Sequence, residues 1–300
     1  MVLLAAGVAP PGTSSRLTIP DALAGAAANT PTTAEIVAAS GKDEWRPLDP
    51  ARTLYLQLPA GRVIIELAPG FAPLHVDNIL KLVAGHYFDG LAVIRVQDNF
   101  VAQWGDPDDK KPLGNASAKL PSEYTVGYDA AAPFTRLPDA DGYAPQTGFV
   151  DGMPAGRDPA SRTRWLAHCY GAVAVARGNE PDSGNGSSLY VVIGQAPRQL
   201  DRNLAVVGHV WQGIELLSAL PRGAGPLGFH DKPAQYVPIA SLRRAADVPE
   251  AERTALEVMR EDSRSFARLL DARRNRHDDF IRFSAGFIDI CNVPVPVRSR

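Results

Sequence analysis

Scarcity limits this sequence before any motif does. Cysteine occurs only at positions 169 and 291 of the 300 residues. That excludes a disulfide-rich scaffold, and the wide spacing excludes a zinc knuckle or a redox C-x-x-C pair. Two free, buried thiols are the expectation, with pairing as the alternative. Lysine is confined to positions 42, 81, 110, 111, 119 and 232, so arginine carries most of the positive charge. With a net charge of -2, the chain lacks the basic excess that nucleic-acid binding requires. No apolar run approaches the roughly 18 residues of a membrane-spanning helix.

Familiar catalytic signatures are missing too. There is no G-x-S-x-G elbow, and the six histidines form no H-E-x-x-H. "GAGPLG" at 223–228 spaces its glycines like a dinucleotide fingerprint. It follows a short helix rather than a strand, however, and Pro226 sits inside the required turn. Asp139 and Asp141 occupy a glycine-rich loop, but the rest of a calcium-binding loop is lacking. Neither a metal nor a cofactor is expected.

What remains is ordinary for a globular protein: 45% hydrophobic and 21% charged residues, enough for one large domain or a domain with extensions. "MVLLAAGVAPPG" opens the chain with an apolar stretch lacking a basic flank. It reads either as the remnant of a secretory signal or as an alanine-rich, disordered terminus. The first reading implies a periplasmic or secreted protein, the second a cytoplasmic one. Residues 1–46 are assigned to this leader, with a short helix around "TAEIVAAS" and order beginning near Trp45. A domain over 47–247 follows, and 248–300 is expected to pack on it as a helix and a terminal strand.

Hydrophobic periodicity locates the elements. Alternating runs at 53–58 and 62–67 flank Pro59-Ala60-Gly61 and read as a hairpin. Val76, Ile79, Leu80 and Val83 recur at helical spacing, with Pro73 in the first turn and Gly85 near the end. Strands are expected near 92–97 and 100–104, then in "YGAVAVAR", "SSLYVVIG", "LAVVGHVWQG" and "PIASLRRA", with a short helix at "IELLSAL". Residues 107–170, rich in Gly, Pro, Asp and Ala, read as a long irregular insertion. It could fold over a groove as a lid or extend a binding surface. After Pro249, Leu256, Met259, Phe266, Leu269 and Leu270 share one face of an amphipathic helix. That helix is expected to dock on the domain, a partner-binding role being the alternative. "AGFIDICNVPV" could add a closing strand. About eight strands with few helices suggest a mainly β architecture, a closed antiparallel barrel with helices at its ends.

One charge stands out in "AVIRVQDNFVAQWGD", residues 92–106. Arg95 interrupts a strand-like run and must face water or a ligand. Here the chain resembles the cyclophilin-type peptidyl-prolyl cis/trans isomerase family. "GRVIIELAPGFAPLHVDNILKLVAGHYFDGLAVIRVQDNFVAQWGDP" is similar to the family's first half, with its F-H-R-V-I-x-x-F-x-x-Q-G-G-D-P run. "GAVAVARGNEPDSGNGSSLYVVIG" and "LDRNLAVVGHVWQGIELL" resemble two later blocks, in the right order over about 53–220.

The resemblance implies an eight-stranded cyclophilin-like β-barrel with an external groove that grips proline. It places Arg95 at the catalytic arginine. Phe100, Val101 and Gln103 match the phenylalanine, methionine and glutamine of the next strand, and Ala176 an alanine of the groove wall. Tyr190 stands where the family usually has phenylalanine, and Leu204 at a position that is often His or Tyr. Phe100, Val101, Tyr190 and Leu204 would hold the prolyl ring. Arg177 and Ser188 fall at peptide-contacting positions, replacing asparagine and glutamine. Ile94 and Trp104 also depart from the pattern, replacing a histidine and a glycine.

The implied activity is isomerisation of X-Pro bonds in proline-containing polypeptides or unfolded client proteins, assisting their folding. The alternative is a proline-peptide binding or chaperone module with little turnover. Alternation puts Arg95 and Gln97 on one face, but the turn near Asp98-Asn99 leaves the facing of Val101 and Gln103 open.

Overall fold

The computed structural model describes residues 30–129 and 131–300. The leader reading of the first 29 residues lies outside the described residues. Helix α1 (Thr33–Ala38) opens the described chain and carries a capping box. The Thr32 hydroxyl accepts from the Glu35 amide, and the Glu35 carboxylate accepts from the Thr32 amide. Described structure therefore starts ahead of Trp45.

Next come β1 (Trp45–Pro47), the hairpin β2 (Thr53–Leu58) and β3 (Gly61–Leu67), and helix α2 (Pro73–Ala84). Pro73 occupies the first helical turn of α2 and Gly85 its C-cap. Strands β4 (Ala92–Val96) and β5 (Val101–Gly105) follow, then β6 (Val126–Gly127), β7 (Thr135–Leu137), β8 (Gln146–Val150), β9 (Met153–Asp158) and β10 (Thr163–Leu166). The chain continues with β11 (Ala172–Val175), β12 (Leu189–Val192), β13 (Val206–Gln212), α3 (Ile214–Ser218), β14 (Val237–Pro238) and β15 (Ser241–Arg244). It ends with β16 (Leu256–Met259), α4 (Arg264–Arg274) and β17 (Val297–Ser299).

Nine strands form one curled antiparallel sheet in the order β14-β4-β5-β12-β11-β13-β3-β2-β15. The fold is mainly β, as expected, but the sheet order is open rather than a ring of eight. The last expected strand is split: β14 pairs with β4 and β15 with β2, separated by only Ile239 and Ala240. One face of the sheet holds the principal core, where Leu56, Val63, Trp104 and Val191 meet Ile79 and Leu82 of α2 and Leu217 of α3. At about 25 cal/mol per Å² of apolar surface removed from water, this burial is the dominant stabilisation of the sheet.

Three expectations need correction. The 107–170 stretch contains the five-stranded sheet β6-β10-β9-β8-β7. Its strands are short and carry glycine and proline, which hid their alternation. Those glycines are needed for close approach: a Cβ on Gly148 would lie 2.4 Å from the Thr135 carbonyl oxygen.

Second, the helix expected after Pro249 starts only at Arg264. Leu256–Met259 instead form β16 between β1 and β17, because Leu256 and Val258 point inward with strand period. Ser263 caps the helix, its hydroxyl accepting from the Phe266 amide. Its Phe266, Leu269 and Leu270 lie in a cluster that includes Ile36, Trp45 and Phe149. The closing strand is displaced too, since β17 starts after "AGFIDICNVPV". Third, the cysteines are not free thiols: Cys169 and Cys291 form a disulfide across 122 positions of sequence.

Asp139 and Asp141 are engaged by arginines, Arg274 and Arg198 respectively. Among the described residues no helix is long and apolar enough to cross a membrane.

Candidate functional site

The site is built on the antiparallel pair β4 and β5. Their register shifts between Val93, opposite Trp104, and Arg95, opposite Gln103. Ile94 is thus the extra residue of a bulge, which re-aims the side chain after it. This resolves the facing that alternation left open. Arg95, Gln97 and Gln103 converge, while the chain reverses through Asn99, a left-handed residue with φ 51°.

Arginine carries five N–H donors in a rigid fork. In Arg95, Nη1 donates to Gln103 Oε1 at 3.1 Å, Nη2 donates to Gln97 Oε1, and Nε donates to the Leu227 carbonyl at 2.7 Å. Gln103 is held in turn, its Nε2 donating to Ser188 Oγ at 3.1 Å, and that hydroxyl donates to the Trp104 carbonyl at 3.2 Å. Three of the five donors are thus committed, leaving one N–H on Nη1 and one on Nη2. The guanidinium also lies between two rings, with Cζ 5.6 Å from the centroid of Phe100 and 5.3 Å from that of Phe229. Burial pushes the Arg95 pKa down, with the nearby Tyr190 phenol acting in the opposite sense. A guanidinium stays charged regardless.

Beside Arg95, Phe100, Val101, Ala176, Tyr190 and Leu204 belong to one apolar cluster. Val101 and Tyr190 are nearly covered, whereas Phe100, Ala176 and Leu204 keep partial exposure. The insertion does not enter as a separate lobe: Met153, Ala155 and Leu166 pack in this same cluster. Burial also pushes the Tyr190 hydroxyl pKa strongly upward, which keeps the phenol protonated.

Two expected peptide contacts have other duties. Arg177 donates through Nε and Nη2 to the Asn203 carbonyl at 3.2 and 3.0 Å, and through Nη1 to the Gly178 and Asn179 carbonyls at 2.7 and 3.2 Å. Its guanidinium lies 5.4 Å from the Tyr124 ring centroid. It braces a loop. Ser188 orients Gln103, and through it Arg95. Of the departures from the family pattern, Ile94 is buried with its carbonyl accepting from the His230 amide at 3.0 Å. Trp104 fills the core, its Nε1 without a hydrogen-bond partner among the described residues.

Leu227 and Phe229 were not foreseen at this site. Their segment reaches Arg95 through long-range contacts that leave no local periodicity, so no sequence signal pointed to them. His168, bonded to the Tyr190 hydroxyl, and Asp201 were missed as well. A tyrosine in a phenylalanine position was the available clue, because a buried hydroxyl requires a partner.

Residues 53–244 match the family model described as cyclophilin type peptidyl-prolyl cis-trans isomerase/CLD. A Brucella suis protein named as a probable peptidyl-prolyl cis-trans isomerase is 30% identical over 179 residues, 59% of this chain and 74% of that one. A Synechocystis sp. relative, placed by its name in the thylakoid lumen, is 27% identical over 164 residues, 51% of this chain and 39% of that one. Among solved structures, the cyclophilin AquaCyp293 from Hirschia baltica is similar with a TM-score of 0.68 and 28% identity, covering 89% of this chain and 97% of that one. That likeness reaches well beyond 53–244, into the flanking layers. The chain belongs to the cyclophilin-type peptidyl-prolyl cis-trans isomerase family.

Proposed function

We propose that the family's reaction, rotation about X-Pro bonds, is carried by Arg95 in this protein. A peptide bond resists rotation by roughly 18–20 kcal/mol because resonance gives it double-bond character. For X-Pro both planar isomers are populated and exchange in tens to hundreds of seconds. Twisting the bond breaks the resonance and localises a lone pair on the prolyl nitrogen. A fixed cation with free N–H groups favours that twisted state over either planar one, and such differential stabilisation is what accelerates a reaction.

The observation that carries the reading is the state of Arg95: charged, held by Gln97 and Gln103, and retaining two uncommitted N–H groups. Phe100, Ala176 and Leu204 would take the prolyl ring, with Val101 and Tyr190 behind them. No nucleophile is required. Substrates would be proline-containing segments of unfolded clients.

A binding module with little turnover is the second reading. It is favoured by the Leu227 carbonyl, which already occupies Arg95 Nε–H. Exchange NMR on a short X-Pro peptide separates the two. Wild type should accelerate exchange, and Arg95→Ala should lose about 100-fold or more of that acceleration, as expected when a transition-state donor is removed. Peptide binding with no acceleration by either protein would discard the first reading.

Two coarser points extend the proposal. The two-residue link between β14 and β15 supports treating 237–244 as the strand that closes the sheet into an eight-stranded barrel. Residues 47–247 would then be the isomerase domain, flanked by segments that pack on it. The disulfide, of a kind that persists in oxidising compartments, supports a periplasmic or secreted location, as does the lumenal relative.

A further inference from the structure

Tyr190 is the one groove residue that places a hydroxyl in the apolar wall. Its Oη lies 3.0 Å from Nε2 of His168, and the two ring planes lie within 15° of each other with 6.3 Å between centroids. His168 Nδ1 lies 3.0 Å from Asp201 Oδ1, and the same oxygen accepts from the His168 backbone amide at 2.9 Å. Asp201 Oδ2 accepts from Arg198 Nε at 2.7 Å and from Trp165 Nε1 at 3.4 Å. Arg198 in turn grips Asp141 through Nη1 and Nη2 at 2.9 and 3.1 Å. All five groups from Tyr190 to Asp141 are buried or nearly so, and His168 is 0% exposed.

Donor and acceptor chemistry gives this chain a direction. An ionised carboxylate only accepts, so Nδ1 of His168 carries the ring proton. Burial alone would raise the Asp201 pKa, but the bonds from His168 and the charge of Arg198 outweigh it and hold the carboxyl below its usual range. In a neutral ring with its proton on Nδ1, Nε2 is left as an acceptor, and the Tyr190 hydroxyl must donate to it. The phenol proton is thereby turned away from the groove. The phenol ring, which could otherwise swing to satisfy its hydroxyl elsewhere, is fixed at its hydroxyl edge.

The chain also connects separate parts of the molecule. His168, Trp165 and Asp141 come from the 107–170 stretch, Arg198 and Asp201 from the connection between β12 and β13, and Tyr190 from β12. Cys169, next to His168, is tied to Cys291 near the C-terminus. The backbone that carries the imidazole is therefore anchored on both sides.

We propose that His168 is a positioning residue for the proline pocket, holding Tyr190 through the Asp201–His168–Tyr190 chain and coupling the 107–170 sheet to the groove. This rests on the isomerase reading for its kinetic consequence, but the pocket it describes is also readable by binding alone. His168 does not touch substrate. It sets the ring that backs the residues that do.

The test is a double-mutant cycle of His168→Phe and Tyr190→Phe, with His168→Gln as the conservative variant and Arg95→Ala as the reaction control. Exchange NMR gives kcat and KM for an X-Pro peptide, and chemical-shift titration gives its Kd. In the wild-type background His168→Phe should raise KM and Kd about 5- to 10-fold with a smaller change in kcat, the scale of one buried hydrogen bond. In the Tyr190→Phe background, the same substitution should change neither by more than about twofold. His168→Gln, whose carbonyl can accept from Tyr190 while its amide donates to Asp201, should recover most of the affinity.

Equal losses in both backgrounds would mean a merely structural role and would overturn the proposal. So would an unchanged KM and Kd in His168→Phe. If that variant does not fold, the cycle is closed with His168→Gln and His168→Asn, whose shorter amide cannot span both partners. Only His168→Asn should then weaken binding. Nitrogen-15 shifts of wild-type His168 supply an independent check, since a protonated Nε2 would contradict the assigned direction. If wild type shows no faster exchange than buffer, the isomerase reading fails while the Kd cycle still decides the role of His168.

Discussion

At the residue scale, His209 illustrates how burial sets a chemical property away from the groove. It lies on β13, with its ring 4.6 Å from that of Trp211 and its edge against Gly171, where a Cβ would come within 2.8 Å of the imidazole. Burial pushes its pKa down to about 4. The unfolded chain, titrating near 6.5, binds a proton in a range where the folded protein does not. Stability from His209 is therefore complete above about pH 6.5 and is lost as pH falls toward 4. Because part of the side chain reaches solvent, we expect a loss of about 1–3 kcal/mol across that window. Urea denaturation at pH 7 and pH 4.5 should show it, and His209→Gln should flatten the difference. The cation proposed to act on the substrate behaves differently, since the Arg95 guanidinium keeps its charge at every pH of interest.

The element scale is where the surroundings of Arg95 acquire their unforeseen edge. Residues 223–230 lie along β4: the Gly223 amide donates to the Val96 carbonyl and the His230 amide to the Ile94 carbonyl, both at 3.0 Å. Between them Leu227 and Gly228 are left-handed, with φ 58° and 80°. A Cβ on Gly228 would lie 2.6 Å from the Gln97 Cα. Gly228→Ala combines steric overlap with an unfavourable backbone conformation, so the segment should lift off β4. The Arg95–Leu227 bond would go with it. We expect amide exchange at Gly223 and His230 to accelerate at least 10-fold, while the β12 amides stay as protected as in wild type. Unchanged exchange would mean that this edge is held by contacts other than the close approach at Gly228. The same scale explains the split between β16 and α4, where two periodicities meet at Ser263.

At the scale of the whole molecule, the three sheets of the described residues are joined by polar clamps and a covalent link. Glu66 on β3 is 0% exposed, accepts two bonds from Arg46 and one from Trp211, and pairs with Arg52. Arg46 and Arg52 also reach the Asp151 carbonyl and carboxylate in the insertion. The Cys169–Cys291 bond ties the end of the insertion to the C-terminal segment. A cross-link over so long a loop restricts the unfolded chain strongly, and its removal typically costs about 2–5 kcal/mol. The Cys169→Ser, Cys291→Ser double variant should lose stability on that scale in urea at pH 7. A change below about 0.5 kcal/mol would show that the noncovalent clamps suffice.

Local chemistry was sufficient for much of this protein. The β2–β3 hairpin, α2 and the strands of the main sheet were legible because each writes its burial into a period of 2 or 3.6 residues. Arg95, Phe100 and Gln103 were singled out by the resemblance of the surrounding blocks to the cyclophilin family, since a lone charge in a strand usually does no more than face solvent. Tertiary structure alone decided the rest. The 107–170 sheet was hidden because its short strands depend on glycine for close approach, and β16 because Leu256 and Met259 also fit helical spacing. The disulfide, the Leu227 carbonyl on Arg95 and the Asp201–His168–Tyr190 chain each join positions far apart in sequence. Sequence reports the periodicity of a segment against one buried face. It carries no comparable mark for which distant segment supplies that face.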